Sequence, residues 1–233
     1  MISIIIPVLN EALGIERLLS HLVENASQGI ISEVIIVDGG STDATSSLVL
    51  AFSKKLPIQI LNSAKGRAVQ MNMGAKNATG DILYFLHADS FPPKHFDRLI
   101  VNEVAKGNPA GCFRMQFDSN HPILKASGWL TRFNFKICRG GDQSLFVKKS
   151  LFEKLNGYNE AYTVYEDCDF INKLYDQASF TIIPKKLITS ARRYQTHGAI
   201  RLQFHFAIIH CKKWLGASPR SLQKYYSKYI SLP

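Results

Sequence analysis

Paired cysteines, long apolar runs and carboxylates are all scarce in this chain. Its four cysteines, Cys112, Cys138, Cys168 and Cys211, form no Cys-x-x-Cys pair and have no metal-ligand spacing. That argues against a zinc ribbon or a disulfide framework and fits free thiols in a reducing compartment. No stretch reaches the roughly 18–20 uninterrupted apolar residues a membrane span needs. The opening Ile2-Ser3-Ile4-Ile5-Ile6-Pro7 is strand-length, with neither a basic flank nor a small-residue cleavage site, so it reads as a strand rather than a signal peptide. A cytoplasmic protein is expected, soluble or peripheral to the inner face of a membrane.

Carboxylates number 18 against 28 lysines and arginines, a formal charge of +10. Such a balance favours anionic partners. The basic residues come as pairs (Lys54-Lys55, Lys148-Lys149, Lys185-Lys186, Arg192-Arg193, Lys212-Lys213) rather than in one arm. No RNP, zinc-finger or helix-turn-helix signature accompanies them, so nucleic acid is not expected. Phosphates on a small substrate, or an anionic membrane surface, account for the charge equally well.

Strand and helix alternate through the first half. Strands are expected over Ile2–Pro7, Glu33–Val37, Pro57–Leu61 and Asp81–Leu86, and helices over Glu11–Glu24, Asp43–Ser53, Gly66–Ala78 and Pro93–Lys106. That rhythm implies an α/β fold with a mostly parallel sheet flanked by helices. The second half is less regular, with strands expected at Ala110–Phe117 and Ser144–Val147 and helices at Pro122–Phe135, Lys148–Leu155 and Glu166–Gln177. Repeats, low-complexity tracts and linkers are absent.

The stretch Ile35-Ile36-Val37-Asp38-Gly39-Gly40-Ser41-Thr42-Asp43 is the most informative. A β-branched apolar run stops at Asp38, and two glycines then allow a tight turn. A carboxylate at the carboxyl end of a parallel strand stands where open α/β sheets bind ligands; the competing reading is that Asp38 only caps the turn. Pro7-Val8-Leu9-Asn10-Glu11 ends the first strand beside it. Lys65-Gly66-Arg67 opens a helix that continues through Gln70 and Asn72, and a cation at a helix start attracts phosphate. His87-Ala88-Asp89 emerges from a further apolar strand, as a divalent cation beside a diphosphate would require. Gly140-Gly141-Asp142-Gln143 is a flexible turn entering a strand, in a place to contact donor sugar or acceptor. Tyr165-Glu166-Asp167-Cys168-Asp169 opens a helix; its acids complement the helix dipole or supply a general base.

Taken in order, these motifs resemble the family 2 inverting glycosyltransferases of GT-A fold, over Ile2 to about Gln177. The resemblance implies that Asp38, with Gly39, contacts the nucleotide base, while Pro7, Asn10 and Glu11 line the nucleotide pocket. It implies that Arg67 and Asn72 belong to the same donor site. His87, Ala88 and Asp89 would stand where the family has Asp-x-Asp, with Asp89 and His87 holding a divalent metal, Mn²⁺ or Mg²⁺, at the diphosphate. Asp167 would be the general base, with Glu166 beside it. The partners implied are a nucleoside diphosphate sugar, UDP-type favoured, and a hydroxyl acceptor. The first acid of Asp-x-Asp is replaced by His87, and the Gln-x-x-Arg-Trp motif of processive synthases is absent, which implies a non-processive enzyme. The Gly66-Arg67-Ala68 and Gly141-Asp142-Gln143 segments look most like a short bacterial subgroup associated with radical-enzyme and arsenosugar gene clusters. Residues 1–197 would form the GT-A domain, with a nucleotide half (1–90) and an acceptor half (91–197). Two other classes stay open on the residues alone: a nucleotidyltransferase of related fold, and a non-catalytic basic module binding nucleic acid or lipid. The first usually carries a glycine-rich, basic loop after its first strand, and Asn10-Glu11-Ala12-Leu13-Gly14 has one glycine and no cation.

Residues 198–233 are expected to form a helical tail packed on the domain. Ile200, Phe204, Ala207, Ile208, Cys211 and Leu215 share one helical face, expected against the core. Leu202, Phe206 and Ile209 form a second stripe on the other side. A helix apolar on two sides lies between two things: two parts of this domain, a homodimer interface, or a peripheral membrane contact.

Overall fold

The computed structural model describes residues 1–230, so the last three positions of the expected tail, 231–233, lie outside the described residues. The chain runs β1 (Ile2–Val8), α1 (Ala12–Asn25), β2 (Ile31–Asp38), α2 (Thr45–Leu50), β3 (Ile58–Asn62), α3 (Arg67–Asn77), β4 (Ile82–Phe85), β5 (Ser90–Phe91) and α4 (Phe96–Ala105). It continues through β6 (Ala110–Phe117), α5 (Pro122–Leu130), β7 (Leu145–Lys148), α6 (Lys149–Lys154), α7 (Glu166–Gln177) and β8 (Phe180–Thr189). Three helices follow: α8 (Arg192–His197), α9 (Ala199–Trp214) and α10 (Pro219–Tyr229). The strands form one sheet in the order β3-β2-β1-β4-β7-β6-β8-β5. β7 runs antiparallel to both neighbours and β5 antiparallel to β8; the other pairs are parallel.

The isoleucine run of β1 is explained by burial on both faces. Ile2, Ile4, Ile6 and Val8 pack under α1 and α4, and Ile5 packs on the opposite layer with Met71 of α3 and Phe170 of α7. A parallel strand covered by helices on both sides needs apolar residues at every position, not at alternate ones. β2 repeats the arrangement, Val34 and Ile36 on one side and Ile35 and Val37 on the other. The carboxyl ends of β1, β2, β4, β6 and β8 therefore share one edge of the sheet.

β8 is absent from the sequence expectation because its middle carries Pro184-Lys185-Lys186. Pairing with β6 steps from Phe113↔Ile183 to Arg114↔Lys186, so Pro184 and Lys185 bulge out of the ladder. Proline cannot donate to a ladder and is tolerated at such a bulge. The helix expected over Pro122–Phe135 ends at Leu130. The Asp43–Ser53 helix is shorter, Thr45–Leu50.

The tail reverses the expected orientation of its stripes. Leu202 and Ile209 are the buried residues of α9, in a cluster with Phe117, Tyr162, Tyr194 and Leu222. Ile200, Phe204 and Leu215, expected against the core, face solvent. The narrower stripe wins because α10 and the Tyr162–Tyr165 loop pack on that side, aided by Tyr225 and Tyr226.

Candidate active site

The loops after β1 and β2 are locked to each other. Asn10, at a left-handed φ of 54°, accepts the Thr42 amide on its side-chain oxygen at 2.8 Å, and its own amide donates to Ser41 Oγ at 2.9 Å. The Glu11 amide donates to Thr45 Oγ1 at 2.9 Å, and the Ala12 amide to Asp43 Oδ2 at 3.1 Å. Buried Gln70 joins the strands beneath, its amide donating to the Val8 and Val37 carbonyls at 2.8 and 2.7 Å. A Cβ at Gly39 would come within 3.1 Å of that amide, which explains a glycine there. The Gln70 clamp stood inside a motif read from the sequence, but nothing in a pattern of residues marks a glutamine as spent on two carbonyls.

Asp38 is buried at the end of β2. Its Oδ1 accepts the Gly40 and Ser41 amides at 3.0 and 2.7 Å, and its Oδ2 accepts the Ser46 hydroxyl at 2.7 Å. Burial opposes the charge, but the bonds from Ser46, Ser41 and Gly40 outweigh it and hold the carboxyl below its ordinary value. These bonds fix the carboxylate at the end of β2.

A cavity of about 150 Å³ opens at this edge, lined by Pro7, Glu11, Arg67, His87, Ala88 and Asp89 together with Asp142, Ser190 and Arg192–Tyr194. Six of the expected residues thus meet at one cavity. Asn10, Asp38 and Gly39 build the adjoining loops. Asn72 is placed elsewhere: its amide donates to the Tyr158 carbonyl and to Glu160 Oε1, both at 2.9 Å, and its oxygen accepts the Tyr158 amide at 2.9 Å. That side chain ties α3 to the loop before α7 and is not among the residues lining the cavity.

His87 is buried between two carboxylates, its Nδ1 3.7 Å from Asp142 Oδ1 and its Nε2 3.7 Å from Asp167 Oδ2. Burial disfavours the imidazolium, yet Asp142 and Asp167 prevail and raise its pKa above the ordinary value. Asp167 is driven upward, to about 6, chiefly by burial and further by Glu166, with His87 pulling the other way. The two carboxylates approach His87 closely because residue 141 is glycine: a Cβ there would sit 2.0 Å from Asp167 Oδ2 and 2.9 Å from His87 Cε1. Glu166 Oε1 lies 3.4 Å from Arg67 Nη1, while its Oε2 is buried without a hydrogen-bond partner among the described residues. Tyr165, which caps α7 just before these acids, is held at a left-handed φ of 77°, a backbone strain that fixes the entry of the helix.

Residues from α8 close the cavity. Arg192 Nη2 reaches Glu11 Oε1 and Oε2 at 3.3 and 3.4 Å. The Arg193 guanidinium donates to the Tyr226 hydroxyl at 2.6 Å. Asp142 comes from the Gly140-Gly141-Asp142-Gln143 turn expected to contact donor sugar or acceptor, whereas Ser190 and Tyr194 lack a local sequence signal for this position; the fold brings all three in from the second half.

Asp89 opens into the cavity, its pKa raised mainly by burial, and no hydrogen bond or ion pair engages its carboxylate among the described residues. One such carboxylate is what Mg²⁺ or Mn²⁺ uses beside phosphate oxygens and water. His87 does not fit as a ligand in this arrangement, since each ring nitrogen faces a carboxylate. Among the described residues no group of three or more His, Cys, Asp or Glu side chains could hold a metal alone.

An open, mostly parallel α/β sheet with acids and arginines gathered at its strand ends defines a nucleotide-binding class of fold. The chain belongs to Glycosyl transferase family 2, whose sequence profile matches residues 3–180. It is 30% identical over 195 residues to a glycosyltransferase of Haemophilus influenzae, covering 78% of this chain and 64% of that protein, so the match falls short of two thirds of the relative's length. The fold is similar to S. aureus TarS 1-349 in complex with UDP, with a TM-score of 0.70 at 18% identity, covering 98% of this chain and 70% of that one. It is also similar to the mannosyltransferase PcManGT of Pyrobaculum calidifontis in complex with GDP-Man and Mn²⁺, with a TM-score of 0.71 at 19% identity, covering 98% and 67%. The fold is GT-A. Among the described residues no helix is long and apolar enough to cross a membrane.

Proposed function

We propose that the protein transfers a glycosyl group from a nucleoside diphosphate sugar, with UDP favoured, to an acceptor hydroxyl in one inverting displacement. The observation that carries this reading is the buried Asp167 carboxylate, raised to about 6, set behind His87 at a cavity lined by Arg67, Arg192 and Arg193. A carboxylate near that value is ionised at neutral pH and basic enough to take a proton as the new bond forms. The acceptor oxygen attacks the anomeric carbon and its proton passes to Asp167. The bond from that carbon to the diphosphate oxygen breaks, and its electron pair leaves on the nucleoside diphosphate.

The three arginines are suited to the charge that develops on the leaving group. Asp89 would hold a divalent metal, which when bound neutralises the diphosphate. His87 then serves as a positioning residue between Asp142 and Asp167 rather than as a ligand. The Asp38 carboxylate at the end of β2 suits a base N–H such as the uracil imide. UDP with TarS, and GDP-Man with Mn²⁺ in PcManGT, support a nucleoside diphosphate donor of this general kind.

The test is a thermal-shift series with UDP, GDP, ADP, CMP and dTDP, with and without Mn²⁺, followed by donor hydrolysis. Selective stabilisation by UDP, larger with Mn²⁺, is expected; a ligand at about 100 times its dissociation constant adds roughly 2.7 kcal/mol. Neither stabilisation nor hydrolysis with any nucleoside diphosphate or its sugar would overturn the reading.

A further inference from the structure

The outward face of α9 is apolar along its whole length. Ile200 is 69% exposed, Phe204 61%, Trp214 86% and Leu215 77%, and Ala207 and Cys211 are exposed with them. At about 100° of rotation per residue these positions fall within one third of the helix circumference. The opposite side, through Leu202 and Ile209, is seated in the core. Sixteen residues give a strip about 24 Å long. Scattered surface leucines need no explanation, but a continuous strip with an exposed tryptophan does.

The charge around this strip is one-sided. All 18 carboxylates lie at or before Asp176, while ten of the 28 basic residues follow it, so residues 177–233 hold the entire formal charge of +10. Arg201 and Lys212 flank one edge of the strip, and α10 exposes Arg220, Lys224 and Lys228. The Lys212 ammonium lies over the Tyr225 ring, 5.5 Å from its centroid, so this half-buried cation links α9 to α10 beside the strip.

We propose that this face docks on the surface of an anionic lipid bilayer, with α9 lying in the interfacial plane. Ile200, Phe204, Trp214 and Leu215 enter the boundary between headgroups and acyl chains, and the basic residues of α9 and α10 meet the lipid phosphates. Tryptophan is suited to that boundary, with an apolar body and one N–H donor. A second copy of the chain is the poorer occupant, because a self-complementary contact would bring together two regions that have cations and no carboxylate to offset them. The inner side of α9 contributes Leu202 and Phe206 to the cavity. The bilayer therefore lies about one helix diameter, 10–12 Å, from the reaction site.

The experiment is co-sedimentation of the whole protein with vesicles of phosphatidylcholine, alone or mixed with phosphatidylglycerol, at low and high salt. It is paired with emission from Trp214 in a Trp129→Phe background, since the chain has two tryptophans. Binding to the anionic vesicles alone is expected, weakened by salt, with Trp214 emission moving to shorter wavelength. Phe204→Ser with Trp214→Ser should lower vesicle affinity at least roughly tenfold while leaving the melting temperature unchanged. Lys224→Glu with Lys228→Glu should weaken binding without altering the fold. Absence of binding to anionic vesicles, equal binding to neutral ones, or a dimer in sedimentation velocity that Phe204→Ser dissociates would each overturn the proposal.

Discussion

Arg192 and Glu11 meet across the mouth of the cavity at 3.3 Å although 181 residues separate them. Glu11 opens the turn after the first strand and Arg192 begins the helix after the last long one, so this pair closes the site with residues from the two ends of the fold. Glu11 is partly buried and its pKa is raised by burial, which Arg192 only partly offsets. A diphosphate would compete with Glu11 for the guanidinium. Arg192→Ala should therefore weaken UDP binding by roughly tenfold to a hundredfold, the range of a charge-assisted hydrogen bond, as isothermal titration would measure. Glu11→Gln, which frees Arg192, should bind UDP at least as well as wild type.

Asp167→Asn should reduce transfer by about two to four orders of magnitude, as loss of a general base does, with the dissociation constant for UDP nearly unchanged. Equal losses in donor affinity and turnover, measured by titration and initial rates, would place Asp167 in donor binding instead.

The pH dependence follows from the same carboxyl. Its folded pKa is about 6 against an ordinary 3.8, so it must lose its proton to act as a base, and the rate should fall as pH drops through about 6. For stability the sign is opposite. Between pH 6 and 4 the folded state holds a proton that the unfolded state lacks, so this group becomes less unfavourable to folding as pH falls. Above pH 6 it is ionised in both states and its burial is a cost. Asp167→Asn should therefore melt higher than wild type at pH 7.5, with the difference shrinking toward pH 4, as thermal denaturation would report.

Gly141→Ala places a methyl group where Asp167 Oδ2 now lies, 2.0 Å from the ideal Cβ. The carboxylate must move away from His87. We expect kcat to fall at least tenfold for a misplaced base and stability to drop by about 1–3 kcal/mol, read from initial rates and urea denaturation.

Asn72→Ala separates structure from binding. It removes three hydrogen bonds to Tyr158 and Glu160 and should cost roughly 1–3 kcal/mol while leaving UDP affinity as it was. A large loss of affinity at unchanged stability would return Asn72 to the donor site.

The first half of the fold was legible because its signals are local. The β-branched run ending in Asp38, and the cation opening α3 at Arg67, are each contained within a few residues. The chain's own pattern also brought His87 and Asp89 to a strand end. What the sequence hid depends on contacts between distant segments. Asn72 and Gln70 lie two residues apart on one helix, yet their partners are a loop 86 residues onward and two strand ends. Asp142 meets His87 only because β7 returns beside β4. The inner stripe of α9 was misassigned because residue counting favours the longer stripe, whereas α10 and the Tyr162 loop decide which side is covered.

The bulge in β8 has a consequence for tolerance to insertion and deletion. Two residues, Pro184 and Lys185, are added between consecutive pairings, and two is the repeat of a strand's side-chain direction. Parity is thereby preserved: Ile183, Leu187 and Thr189 all stay on buried positions. Loss of one residue at this point would turn the rest of the strand over, carrying Thr189 and Ser190 away from the cavity they line. Loss of both would straighten the strand and leave each face as it is, so this strand should accept length changes in twos and reject them singly.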